Sequence, residues 1–174
     1  MFLPRRSLLA GVAGLAATPL LPIAPLSAQD ALPDARFVGF CRAVNEFELA
    51  SGNLALQRSA SENVRGFASR AIAEATWDTQ ALETARREAG VSWAPDGRMG
   101  PQTQNFLAQL NALQGPAFDA AFVNAQLAVM TEAESQYGAY SQNGRSGPLR
   151  RYAQVILPKA RVQLEYARRN AAKP

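Results

Sequence analysis

Four long segments of this chain carry apolar residues at helical spacing, and this periodicity constrains the fold more than any other feature. In the first segment, Phe37, Cys41 and Val44 recur three or four residues apart. No segment of the 174 residues shows the alternating pattern of a β-strand, so we predict an all-α protein. The predicted long helices run from Asp34 to about Arg58, from the capping Ser61 to Gly90, from Gly115 to about Tyr140 and from Pro148 to about Ala171.

A longer connection separates the second and third long helices. The stretch 91–100 contains Pro95 and the turn pair Asp96-Gly97, which predict a loop. Pro101 suits the first position of a short helix that ends near Leu113. Two helical hairpins joined by one long crossover predict a ferritin-like up-down four-helix bundle, with a short extra helix in the crossover. We assign residues 29–174 to this domain.

Residues 1–28 have the three parts of a cleavable signal peptide. Arg5 and Arg6 precede an apolar run that ends near Leu21, and small residues up to Ala28 suit a signal peptidase. The order Arg-Arg-Ser-Leu-Leu is similar to the twin-arginine export signal. The apolar run is shorter than the ~20 residues of a membrane-spanning helix. We therefore expect cleavage, no transmembrane helix afterwards, and a periplasmic location, with outer-membrane association as an option.

Histidine is absent from the chain, and cysteine occurs once, as Cys41, on an apolar helix face where we expect it to be buried. Without histidine, histidine-dependent triads, imidazole metal ligands and the usual neutral-pH proton shuttle are excluded. Two of the 18 basic residues lie in the leader, which leaves 16 beside 14 acidic residues. This even balance, without basic clusters among aromatic residues, argues against a nucleic-acid partner. We expect neither a cofactor nor enzymatic activity.

A few acidic residues border the predicted apolar stripes and are candidates for the interior. Glu48 is the strongest, because it lies four residues after Val44 and seven after Cys41. We expect its carboxylate to pair with an arginine or a tyrosine hydroxyl at the bundle edge, with a metal-ligand role as the alternative. Glu74 and Asp78, spaced i, i+4 on the second helix, are interpreted as a solvated face.

Two tryptophans lie near each other in the sequence, and their roles are left open. Trp77 is almost opposite the apolar centre of its helix, and Trp93 follows in the crossover loop. Either the crossover folds over the second helix and buries both rings, or the rings form an exposed aromatic patch for a partner.

Short motifs along the chain, taken in order, resemble a known family. They are Glu48-Leu49 with Gly52-Asn53-Leu54-Ala55, then 64–68 (Val-Arg-Gly-Phe-Ala), 117–123 with Gln126, and Leu157-Pro158 in the last helix. The chain resembles the exported bacterial ferritin-like proteins of unknown function called DUF4142, some of which are labelled outer-membrane proteins. The resemblance covers residues 37–167.

The resemblance implies a polar centre in the bundle. Family members typically carry three core histidines, and the matching positions here are Ala75, Met130 and Gln163. The family's first-helix glutamate is matched by Glu48. The chain therefore resembles a divergent member in which at most a residual core site of Glu48, Gln163 and Met130 remains, and no metal is expected because these are poor ligands together.

Three functions are consistent with the sequence. The first is a non-catalytic binding or envelope-associated module of the periplasm, with an unknown protein or envelope partner. The second is a metal-binding ferritin-like protein, an oxidase or a metal store, with a carboxylate site around Glu48. The third is a carrier of a small molecule or lipid in a cavity lined by Met130 and aromatic residues.

Overall fold

The computed structural model describes residues 31–92 and 100–171, and these residues form five α-helices and no strand, which confirms the all-α prediction. The predicted signal peptide and Trp93 lie outside the described residues. None of the described helices is both long and apolar enough to cross a membrane. The helices are α1 (Asp34–Arg58), α2 (Glu62–Glu88), α3 (Pro101–Ala112), α4 (Gly115–Asn143) and α5 (Gly147–Ala171).

The helix ends follow local rules that are visible in the sequence. The Ser61 hydroxyl accepts a hydrogen bond from the Val64 N–H and caps α2, as predicted. Gly90, with a φ of 66°, ends the same helix, since glycine adopts this left-handed conformation without steric cost. Pro101 is the first residue of α3. The local signals were therefore sufficient to predict most helix boundaries.

The four long helices pack so that every neighbouring pair is antiparallel. Short connections make hairpins of α1 with α2 and of α4 with α5. The start of α1 meets the end of α4, where the Tyr140 hydroxyl donates to Asp34 Oδ1 at 2.5 Å. The start of α2 meets the end of α5, where Asn63 Nδ2 donates to Asn170 Oδ1 at 3.1 Å. The directions along the chain are therefore up, down, down, up, and α3 of the crossover packs on α1 and α4.

The buried apolar residues form two clusters with polar side chains between them. The larger cluster holds Phe37 and Tyr140, whose rings stack with centroids 3.7 Å apart. The smaller one, near the α1–α2 turn, holds Phe67 and Phe118. Between the clusters lies a set of buried polar residues that we call the polar layer, consisting of Asn45, Glu48, Ser51, Gln126 and Gln163.

Cys41 is fully buried in the larger cluster, which confirms its predicted environment. Burial raises the pKa of its thiol well above the usual value, because the thiolate would lose its hydration. We expect native protein to react with a water-soluble disulfide reagent only through unfolding, and denatured protein to react at once with one thiol. Absorbance of the released chromophore measures both rates. Rapid, complete reaction of native protein would contradict this placement.

Candidate functional site

Three residues of the polar layer, Asn45, Glu48 and Gln163, line a small cavity to which α1, α2, α4 and α5 all contribute. We call it the Glu48 cavity. Its volume is about 20 Å³, which is room for one water-sized group. The four positions singled out by the family resemblance, Glu48, Ala75, Met130 and Gln163, meet here, one from each long helix. The complete lining is Val44, Asn45, Glu48, Ala75, Asp78, Met130, Tyr137, Ile156, Lys159, Ala160 and Gln163.

Glu48 is the buried acid of this cavity, with 3% of its surface exposed. Among the described residues, neither of its carboxylate oxygens has a hydrogen-bond partner of normal geometry. The expected pairing with an arginine or a tyrosine hydroxyl is therefore wrong, because the side chain points between the helices rather than along the bundle edge. A buried acceptor without a hydrogen bond lowers the stability of the folded protein, so this carboxyl group is the strongest candidate for binding a ligand or a proton.

Burial also decides the charge of Glu48. Desolvation raises the pKa of its carboxyl group from the usual 4.5 to about 8. The nearby Gln126 side chain opposes this rise, and the negative charges of Glu74 and Asp78 add to it. At neutral pH the group is therefore mainly the uncharged acid, which can donate as well as accept a hydrogen bond.

Asp78 lines the cavity, not a solvated face as predicted, and the half-buried Glu74 lies beside the lining residues. Asp78 is 14% exposed and pairs with Lys159, Oδ1 to Nζ, at 2.7 Å. Glu74 Oε2 accepts a hydrogen bond from Gln163 Nε2 at 2.8 Å. Desolvation also raises the pKa of Asp78, while the Lys159 ammonium opposes that rise. The sequence interpretation failed because the i, i+4 spacing hid a second pattern: Asp78 follows Ala75 and precedes Leu82 on one buried stripe.

Trp77 contacts this ion pair from outside the cavity lining. Its side chain is 48% exposed, and the Lys159 ammonium lies over its ring, 3.7 Å from the ring centroid. This is a cation–π contact, which holds the ammonium between an aromatic face and a carboxylate. The described residues thus leave Trp77 half exposed, and the alternative of an exposed aromatic patch stays open for this residue.

The sequence interpretation missed Asn45, Tyr137 and Lys159 as members of the site. All three lie on buried stripes at spacings of three or four residues from residues that were recognised. Asn45 is four residues after Cys41, and Lys159 is four residues before Gln163. A polar residue at a buried position of a helix was the signal that could have identified them as members of the site.

The donor set does not favour a metal ion. Within the described ranges no three histidine, cysteine, aspartate or glutamate side chains are grouped so that they could hold one. The Asp78 carboxylate is paired with the Lys159 ammonium, and the Glu74 carboxylate accepts a hydrogen bond from the Gln163 amide. What the arrangement can do is bind a proton at Glu48, or accept hydrogen bonds from a ligand that carries N–H or O–H donors.

Comparison with known proteins gives a family and nothing more specific. A family model described as "Domain of unknown function (DUF4142)" matches residues 22–169, which is most of the chain. No match was found among curated proteins. No solved structure matched either.

Proposed function

Because the chain belongs to the DUF4142 family, we propose that it is an exported, non-catalytic binding module of the periplasm, built on a ferritin-like bundle. The proposed binding place is the Glu48 cavity. One observation carries the proposal: a carboxyl group that is almost fully buried lines a cavity and has no hydrogen-bond partner of normal geometry among the described residues. Such a group costs roughly 1–3 kcal/mol of stability, and a ligand that supplies donors removes that cost.

Export and the ferritin-like affiliation are parts of this proposal. The twin-arginine-like leader of residues 1–28 supports export, and the single long crossover between two antiparallel hairpins supports the affiliation. We expect the full-length chain, expressed in a bacterium with a twin-arginine pathway, to be recovered from the periplasm with a new N-terminus at Gln29. Retention of an intact Met1–Ala28 segment in the cytoplasm would overturn the export part.

The binding part is tested by ligand-induced stabilisation. Purified protein, Glu48→Gln and Glu46→Gln are heated with panels of small cations, anions and neutral polar compounds. Glu46 is the matched control because it is on the same helix but pairs with Arg42 at the surface. We expect at least one class of compound to raise the melting temperature of the wild type and of Glu46→Gln but not of Glu48→Gln. Equal effects of every compound on all three proteins would overturn the proposal.

A metal site is the second candidate, because Glu48, Gln163 and Met130 line the same cavity. Elemental analysis of protein purified without chelators separates it from the first. Stoichiometric iron or manganese that is lost in Glu48→Ala would favour the metal-binding function, an oxidase or a metal store. A lipid carrier is disfavoured at this place, because about 20 Å³ does not accommodate an acyl chain.

A further inference from the structure

The Glu48 cavity has more acid than base around it. The negative charges of Glu74 and Asp78 both raise the pKa of Glu48, and the charge of Glu74 also raises the pKa of Asp78. Of the residues that line the cavity, Lys159 alone carries a positive charge. The surroundings therefore favour the entry of one further positive charge, either as a proton on Glu48 or as a cation.

The place where such a cation would bind is already marked by the Lys159 ammonium. It contacts the Asp78 carboxylate at 2.7 Å and lies 3.7 Å from the centroid of the Trp77 ring. A carboxylate together with an aromatic face is a general means of recognising an organic ammonium ion. The cavity lining also has an apolar part, with Val44, Ile156 and Ala160, which suits an alkyl group better than a hydrated metal ion.

Lys159 can leave this place without unfolding its helix. Its side chain is 29% exposed and ends a flexible four-carbon stem, so it can rotate towards solvent. A primary ammonium ligand has three N–H donors and can therefore donate hydrogen bonds to several acceptors at once. Glu48, mainly the uncharged acid at neutral pH, offers a carboxyl group whose two oxygens have no hydrogen-bond partner of normal geometry among the described residues. Its carbonyl oxygen can accept an N–H of the ligand.

We propose that the Glu48 cavity binds a small organic primary ammonium ion, which displaces the Lys159 ammonium from Asp78 and Trp77 and reaches Glu48. This inference rests on the proposed function as a binding module and names its ligand class. Lys159 is then an internal competitor. It occupies the site when the ligand is absent, and it lowers the apparent affinity of the protein for the ligand. The apolar part of the lining and the small volume restrict the ligand to a short alkylammonium ion.

The test is calorimetric titration of the purified protein with methylammonium chloride, with sodium chloride at the same ionic strength as the reference. Lys159→Met keeps the apolar stem and removes the competing charge, so we expect it to bind methylammonium roughly tenfold more tightly than the wild type. Arg161→Met is the matched control, because Arg161 is on the same helix but pairs with Glu134. It should bind like the wild type. Equal affinity of Lys159→Met and the wild type would overturn the inference.

Two further variants in the Lys159→Met background test the acceptors. Asp78→Asn and Glu48→Gln should each abolish detectable binding. If either variant does not fold, Trp77→Leu replaces it, since Trp77 is half exposed, and it should weaken binding about threefold. Tetramethylammonium, which lacks N–H donors, should not bind. Binding of methylammonium that is unchanged in Trp77→Leu would contradict the proposed place.

The two proposals can fail separately. If methylammonium binds none of these proteins while another compound stabilises the wild type but not Glu48→Gln, the ligand class is wrong and the binding function stands. If no compound depends on Glu48, the binding function itself is wrong.

Discussion

Replacing Glu48 with glutamine should leave stability near pH 5 almost unchanged and should make the protein clearly more stable than the wild type at pH 8 to 9. The glutamine has nearly the same shape and carries no proton to lose. In the wild type, by contrast, Glu48 must remain a buried acid or become a buried charge as the pH rises. The difference between the two proteins therefore isolates the cost of that ionisation.

The sign follows from proton linkage. The pKa of Glu48 is about 8 in the folded protein and near 4.5 in the unfolded chain. Between these values the folded state holds a proton that the unfolded state has released, so stability falls as pH rises from about 4.5 to about 8 and then levels off. At about 1.4 kcal/mol per pKa unit, the wild type loses on the order of 3 kcal/mol by pH 7.

Other groups around Glu48 titrate or carry charge, so the comparison must be a difference between variants. Asp78 on α2 has a raised pKa of its own, Lys159 on α5 opposes it, and Tyr137 on α4 has a pKa raised well above its usual value. Their contributions are largely common to the wild type and Glu48→Gln and cancel in the difference. Urea unfolding from pH 5 to pH 9 gives the free energy of unfolding of both proteins.

Glu46→Gln is the control for this experiment as well, because it removes a carboxylate from the surface of the same helix. Its stability difference from the wild type should not depend on pH in this range. A Glu48→Gln difference that is also constant from pH 5 to pH 9 would mean that Glu48 is charged in the folded protein already at pH 5.

Gly144→Ala should destabilise the protein by about 1–3 kcal/mol, the usual cost of forcing extra atoms into a packed interior. Gly144 follows α4 with an extended backbone that any residue can adopt, so the cost is purely steric. A Cβ atom there would lie 2.7 Å from the Tyr140 carbonyl oxygen and even closer to its ring. The ring cannot move away easily, because it stacks on Phe37 and its hydroxyl donates to Asp34.

Gly66→Ala is the opposite case and serves as the control. Gly66 lies inside α2, and a Cβ atom there meets nothing within 4 Å. Alanine should therefore stabilise the helix by roughly 0.5–1 kcal/mol, because the unfolded chain loses backbone freedom. Urea unfolding measures both variants. A neutral Gly144→Ala would show that the Tyr140 ring is not held as tightly as its contacts indicate.

The polar centre could be predicted in part, from helical spacing and from the family resemblance. Helical spacing named Glu48, the family resemblance named Met130 and Gln163, and the structure brings all three to one cavity with Ala75. Whether they hold a metal stays a prediction. Asp78 was assigned to the wrong environment, because its i, i+4 relation to Glu74 on one helix is equally consistent with a surface and with a buried stripe.

Two features needed the packed structure. The α2 and α5 helices are about 80 residues apart in sequence where Lys159 meets Asp78, and no local pattern reports such a contact. Whether Glu48 has a hydrogen-bond partner of normal geometry also depends on donors that come from other helices.

Local signals were enough to predict the helical class, the approximate ends of the helices and the burial of Cys41, because periodicity, caps, glycine and proline act within a few residues of the chain. The packing of the four long helices, by contrast, makes Glu48 a buried acid in a cavity and brings the Lys159 ammonium to Asp78. The physical reason is that desolvation and ion pairing depend on atoms brought from four different helices. A single helix shows which residues can face inward, whereas the packed bundle decides what they face.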